Sequence, residues 1–407
     1  MNAVVSEDLP RVLILSAAIP ETRFAGSLLL YRLFHGYPPD RLVSIGPLPH
    51  PASQLLDCQY RQLKAASSSR LNMTRLAKWK RSFEALGLLG RISLGAVDTI
   101  LSDYRPEMVV SVMERLDYSD VALRFCRKHG LPLVLIVHDL IDQFEKVYPW
   151  ATSTQLRRYG SIYRAASARL CVSPGLRDRF KVRYRVSGDV LYPSRSDNLI
   201  ARALEECGTL KSAGQLTIGY AGSLAYGYGE KIREIMPILA ASGVRLRVYS
   251  RDFFTHSIKG TEHAGSWTPD EAWDRVKAEC DVVLLPYSSS AGYRELYETH
   301  FPSKLTEYLA LGMPVLICGP AYAAGVAWGL RHSSAVLTVA DPAREGLIEA
   351  CRRLAEFPEL RLQLARGAGE AGKTEFDPRK IREQFLATLV KVIRGHDQGR
   401  RAVLVKC

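Results

Sequence analysis

Short apolar runs and amphipathic stretches take turns along the chain. Arg11–Ser16 carries Val, Leu, Ile and Leu in succession and reads as a first buried strand. Ala17–Ala25 reads as a loop leading into a helix at Gly26–Gly36, with a second strand at Leu42–Ile45. Glu107–Val112, Leu133–Val137 and Arg169–Val172 are further strand-sized runs, each preceded by a helical stretch. Strands buried on both faces lose the polar alternation of a half-exposed sheet, so this rhythm predicts a parallel sheet with helices on both sides.

The pattern loosens over Tyr192–Gly214, which is rich in Ser, Asp, Asn and Gly and contains Pro193. A domain junction is expected there. Alternation restarts at Leu216–Tyr220, and Val244–Tyr249, Val282–Leu285, Pro314–Ile317 and Ala335–Val339 are the later strand candidates. Thr268-Pro269-Asp270-Glu271 predicts a helix start, with a Thr cap, Pro at the first helical position and Glu three residues after the cap. That helix should end near Cys280, and Pro378–Arg394 should form a last long one. The expected architecture is α/β. A Rossmann-like domain spans 1–192, a linker 193–214 and a second Rossmann-like domain 215–375. A tail, 376–407, is expected to pack back on the first domain.

Length agrees: 407 residues fit two domains of about 200 each. The net charge of +13 adds a partner class, since such a surface attracts phosphate, whether on nucleic acid, anionic lipid or a phosphorylated substrate. No module such as an RNP aromatic pair or a zinc knuckle supports nucleic acid. No apolar run approaches bilayer-spanning length. Glu7 and Asp8 precede the first apolar run where a signal peptide would carry cations, so a cytoplasmic protein is expected. The eight cysteines are scattered without a C-x-x-C pair and read as reduced, mostly buried residues. No cluster has metal-ligand spacing, so neither a metal nor a bound cofactor is expected.

The most informative stretch is Phe301-Pro-Ser-Lys-Leu-Thr-Glu-Tyr-Leu-Ala-Leu-Gly-Met-Pro-Val-Leu-Ile317. Pro302 suits the first turn of a helix, where its missing N–H costs nothing. Ser303 and the free N–H groups beside it sit at the positive end of the helix dipole, a seat for phosphate, and Lys304 adds a cation. Glu307 is one turn further, so its carboxylate can face the same side and accept two ribose hydroxyls. Gly312 ends the helix before Met313-Pro314 opens a strand. Read without further context, the same residues describe an ordinary capped helix entering a strand.

This stretch resembles the donor-binding helix of the GT-B glycosyltransferases, especially the retaining glycosyltransferase family 4. There a Pro-x-Lys-x-x-Glu-type helix precedes Ala-x-Gly-x-Pro-Val. The resemblance implies two Rossmann-like domains with parallel sheets facing a central cleft. It also implies metal-independent transfer of a sugar, with retention, from a UDP- or GDP-linked donor to a saccharide or lipid-linked hydroxyl. Other segments match in the family's order. Pro20–Leu30, with Gly26, resembles its N-terminal glycine loop. Val137-His138-Asp139 resembles its strand-end His-Asp, which implies that His138 lies near the transferred sugar. Tyr220-Ala-Gly222-Ser223 resembles its Gly-Arg-Leu turn, with Ser223 in place of the phosphate-binding Arg. Lys231 lies near its helix-start lysine, which implies neutralisation of the leaving diphosphate, although an exposed helix lysine fits equally well. Ala264–Trp267 matches the segment that holds the base, which implies a donor contact for Trp267.

One departure stands out. The family spaces two glutamates eight apart, the second matching Glu307, and position 299 is Thr299. Glu298 is one step off and is the candidate substitute, with Glu295 nearby. A catalytically silent scaffold and a nucleotide-sugar epimerase remain as alternatives.

Ser69–Gly87 places Leu71, Leu76, Trp79, Phe83 and Leu86 among Arg70, Arg75, Lys78, Lys80 and Arg81. This spacing predicts a helix with one apolar stripe, packed on the first domain as in an ordinary surface helix. A seat on anionic lipid, making the protein peripheral at the inner face of a membrane, is the alternative.

Overall fold

The computed structural model describes residues 9–22, 25–51, 53–63, 76–140, 146–199, 201–211, 214–250, 261–263, 269–340 and 344–404. The chain divides into two compact units, one of Met1–Tyr192 with Arg379–Cys407 and one of Pro193–Pro378.

In the first unit the strands are β1 (Val12–Leu15), β2 (Leu42–Gly46), β3 (Gln59–Gln62), β4 (Met108–Val112), β5 (Leu133–Val137), β6 (Ala168–Cys171) and β7 (Asp189–Val190). They form one sheet in the order β3-β2-β1-β4-β5-β6-β7. Every pairing in it is parallel. Every residue of β1, β4 and β5 is buried, as the unbroken apolar runs require of central strands covered by helices on both faces. The order reverses direction at β1, and side chains leaving the carboxyl ends of β1, β4 and β5 converge there. The Pro378–Leu404 helix runs ten residues beyond its expected end, and its 379–404 part belongs to this unit. Phe385 meets Phe34 edge-on at 5.0 Å, Gln384 donates to Val190 O at 2.8 Å, and a His396 ring nitrogen lies 2.8 Å from Gly130 O.

The second unit holds β8 (Thr217–Ala221), β9 (Arg245–Tyr249), β10 (Thr261–His263), β11 (Val282–Pro286), β12 (Val315–Gly319) and β13 (Leu337–Ala340). Their order is β10-β9-β8-β11-β12-β13, again parallel in every pairing. The stretch after Tyr192, expected as a linker, is built into this unit. Arg202 is buried, its backbone N–H donates to Leu311 O at 2.7 Å, and its guanidinium donates to Cys280 O at 2.9 Å. The helix expected from Thr268 runs Pro269–Glu279, while Thr268 itself lies outside the described residues.

Among the described cysteines all seven are free and six are buried; Cys58 is half-buried.

Candidate functional site

Each unit gathers candidate residues at the carboxyl ends of its central strands. In the second unit β8 ends at Ala221, and Gly222 follows with φ +125°, a backbone that side chains rarely adopt. The reason lies in a neighbour. A β-carbon built on Gly222 would stand 2.4 Å from Cε of Lys304, so the lysine stem lies directly across the glycine. The Lys304 ammonium ends 4.2 Å from the ring centroid of Tyr228 and 5.8 Å from that of Tyr220, within cation–π range of both. The strand end, the turn and the lysine form one packed group.

Lys304 belongs to the Ser303–Ala310 helix. Pro302, expected in the first turn, stands at the N-cap, where it offers no side-chain acceptor to the first-turn N–H groups. Pro302 is buried, Ser303 is exposed and Lys304 is half-buried. Glu307 is buried one turn on. Tyr308 ties the helix to β8: the Ala221 N–H donates to its hydroxyl oxygen at 3.1 Å.

The turn after Gly222 is cross-braced. Ser223 is exposed; its Oγ accepts from Ala225 N–H at 3.1 Å and its carbonyl accepts from the Tyr220 hydroxyl. Gly227 caps the Tyr228–Ala241 helix without a side-chain acceptor. The Tyr297 hydroxyl donates to Tyr226 O at 2.5 Å, and Ser288 Oγ donates to Glu230 Oε1 at 2.8 Å. The segment Ser288–His300 is therefore an ordered brace, with a 3-10 turn at Ala291–Tyr293 and a helix at Arg294–Thr299.

Two charged candidates occupy unexpected surroundings. Lys231 is not an exposed helix lysine: only 1 % of its surface is accessible, and its ammonium donates to Glu234 Oε1 at 2.7 Å. Glu298 lies on the exposed face of the Arg294–Thr299 helix and accepts from Arg294 Nε at 2.8 Å. Thr299, at the place of the family's first glutamate, is buried, with its hydroxyl turned back to Glu295 O at 2.8 Å. Trp267 lies outside the described residues.

In the first unit Gly26 stands in the helix Ala25–Leu33 that follows β1. A β-carbon there would come to 3.0 Å from both Glu114 Oε2 and His138 Cε1. Glu114 follows β4 and His138 follows β5, so strands adjacent in the sheet bring the three together. The His138 ring is half-buried, with Nε2 3.0 Å from Asp139 Oδ2 and no hydrogen-bond partner at Nδ1 among the described residues. Burial alone would push the imidazole pKa down; the Asp139 carboxylate, helped by Glu114, outweighs it and holds the pKa above the ordinary value. Glu114 escaped the sequence reading because no motif surrounds it. Its place two residues after an apolar strand was the one available signal.

The fold is that of the GT-B glycosyltransferases. No protein-family model and no curated protein matches the sequence. Among solved structures the chain resembles Anabaena Alr3699/HepE in complex with UDP-glucose at TM-score 0.64 and 15% identity, over 93% of this chain and 99% of that one. It resembles the sucrose-phosphate synthase of Thermosynechococcus elongatus at TM-score 0.65 and 13% identity, over 97% and 99%. A third is the UDP-forming α,α-trehalose-phosphate synthase of Burkholderia vietnamiensis, at TM-score 0.57 and 12% identity, over 94% and 99%. At these identities the likeness is one of fold.

Proposed function

We propose that this protein is a glycosyltransferase that takes a sugar from a nucleoside-diphosphate donor and passes it to a hydroxyl acceptor. The observation that carries the reading is the seating of Lys304 across Gly222, at the mouth of a helix whose N-cap supplies no acceptor. Breaking the anomeric C–O bond leaves negative charge on the diphosphate and an oxocarbenium-like sugar. Backbone N–H groups and an ammonium fixed beforehand meet that charge without reorganising. Glu307 would accept hydrogen bonds from the ribose, and Ser303 would add a hydroxyl to the phosphate seat.

UDP, bound or formed by the fold neighbours named above, supports a uridine diphosphate donor. Lys304 is the leaving-group cation in this reading, because its stem is fixed across Gly222 at the end of β8 and its ammonium stands over the Tyr228 ring. In the first unit the His138 imidazole, held towards its charged form, would bond the sugar or the acceptor beside Gly26 and Glu114. Retention and metal independence are part of the proposal: the charge on the leaving diphosphate is met by Lys304 and helix dipoles. A cytoplasmic role in glycan, lipid-linked saccharide or natural-product assembly fits the same chemistry.

Calorimetry with UDP and GDP tests the donor site. The expected result is binding of one of them, weakened about tenfold or more in Lys304→Ala, as loss of a charge-assisted bond implies. Transfer that survives a chelator would support metal independence. No binding of either nucleotide would end the proposal. A silent scaffold is the second reading, favoured by the pairing of Glu298 with Arg294 and by Ser223 where the family has Arg. Nucleotide binding without any sugar release from a panel of nucleotide sugars would select it.

A further inference from the structure

The helix Ala77–Ala85 packs in the opposite sense to the one its spacing predicts. It buries the small residues Ala77, Ser82 and Ala85, leaves Trp79 exposed and covers Phe83 only in part. Residues 69–75 of the expected stripe lie outside the described residues. Trp79 is 45% exposed, and Leu76 and Leu86 are exposed at the two ends. Leu88 and Leu89 follow in the next turn, both exposed.

A second helix, Pro149–Ala165, adds to this face at its start. Trp150 is 47% exposed and lies 6.1 Å from Trp79 and 5.9 Å from Phe83, ring centre to ring centre. Tyr148 lies 4.7 Å from Trp79, and the Lys78 ammonium stands 4.7 Å above the Tyr148 ring. The two helices are fastened together: Tyr148 N–H donates to Ser82 Oγ at 2.9 Å, and Arg158 donates to Glu84 O at 2.6 Å. The aromatic cluster is thus held outward by a fixed frame. Of thirteen large apolar side chains exposed among the described residues, six belong here, so the face is a concentration and not the usual scatter.

Charge decides what covers it. Residues 77–91 and 146–158 together contain seven Lys and Arg, of which Lys80 pairs with Glu84 and Arg158 with Asp120. Lys78, Arg91, Lys146 and Arg157 are exposed among them. Tryptophan and tyrosine at the level of headgroups, leucines beneath and cations around the rim are what the surface of an anionic bilayer accommodates.

We propose that this face of the first unit seats the protein on an anionic membrane surface, with Trp79, Trp150, Leu88 and Leu89 entering the headgroup layer. The inference is independent of the donor site, whose residues lie on the second unit.

The test uses the full chain and vesicles of phosphatidylcholine alone or with about one third phosphatidylglycerol, at about 0.15 M salt. Co-sedimentation with the anionic vesicles only, with a blue shift of tryptophan fluorescence, is expected. Trp79→Ala with Trp150→Ala, and separately Lys78→Glu with Arg157→Glu, should each weaken partition about tenfold or more. An unchanged far-ultraviolet spectrum and melting temperature exclude misfolding as the cause. No partition into anionic vesicles overturns the proposal. So does equal partition of the wild type and both variants, or a dimer of this chain that Trp79→Ala with Trp150→Ala dissolves.

Discussion

Lys304 and Gly222 fix each other: the lysine stem occupies the space that any β-carbon at 222 would need, 2.4 Å from Cε. Gly222→Ala therefore does two things. It forces alanine to φ +125°, a cost of about 1–3 kcal/mol, and it pushes Lys304 off the turn. Uridine diphosphate affinity should fall about as far in Gly222→Ala as in Lys304→Ala. The double variant should lose less than the sum, because removing the stem relieves the contact. A double-mutant cycle by calorimetry and thermal melting checks both. Additive losses would show that the two residues act separately.

The central strands were legible because burial on both faces writes itself as consecutive Val, Leu and Ile. β1, β4, β5, β11 and β12 all fall within a residue or two of expectation. Three strands were not foreseen, and all are edges: β3 (Gln-Tyr-Arg-Gln), β7 (Asp-Val) and β10 (Thr-Glu-His). These three edge strands are polar, with one neighbour each and no apolar run to read, whereas the fourth edge, β13 (Leu-Thr-Val-Ala), keeps an apolar run and was foreseen. The candidate site was legible only where its residues are contiguous, as from Pro302 to Glu307. The contact of Lys304 with Gly222 and Tyr228, or of Gly26 with Glu114, joins the ends of separate strands. Parallel topology creates such meetings, and no sequence spacing announces them.

Lys231 is a buried cation whose observed partner, Glu234, is half exposed. Glu234→Gln keeps the size of the partner and removes its charge, leaving the ammonium desolvated with a weaker acceptor. Solvent screens the exposed end of the pair, which discounts the several kcal/mol of a fully buried one. A loss of about 1–2 kcal/mol in urea unfolding is expected. Lys231→Met, which removes the buried charge and keeps the stem, should be the milder change for stability. If Lys231→Met leaves nucleotide affinity unchanged while Lys304→Ala abolishes it, the phosphate cation is Lys304.

His138 links stability to pH. Its folded pKa is raised by Asp139 and Glu114 against the opposing effect of burial, whereas the unfolded chain returns to about 6.5. Between those two values the folded protein holds a proton that the unfolded chain has released, so stability falls as pH rises. The contribution is complete below the unfolded pKa and gone above the folded one. Asp139→Asn removes the main raising charge. The gap in urea midpoint between wild type and Asp139→Asn should be widest below about pH 6.5 and narrow as pH rises through the folded-state pKa. A gap that widens with pH would contradict this sign.

Gly26 tests the first unit apart from the donor turn. A methyl group there meets Glu114 Oε2 and the His138 ring at 3.0 Å, closer than ordinary contact. The Glu114 carboxylate is the end of a flexible side chain and can yield. The imidazole, half-buried and bonded to Asp139, cannot move without disturbing that pair. Gly26→Ala should then misplace His138 by a few tenths of an ångström, which lowers transfer about tenfold or more when catalytic geometry depends on it. Uridine diphosphate affinity should be unchanged, because its proposed seat is at Lys304. Glu114→Gln keeps the shape and removes a charge, so it should shift the pH profile of transfer to lower pH and spare nucleotide binding. Equal loss of transfer and nucleotide affinity in Gly26→Ala would place the donor contact at the glycine itself and remove His138 from the proposed division of roles.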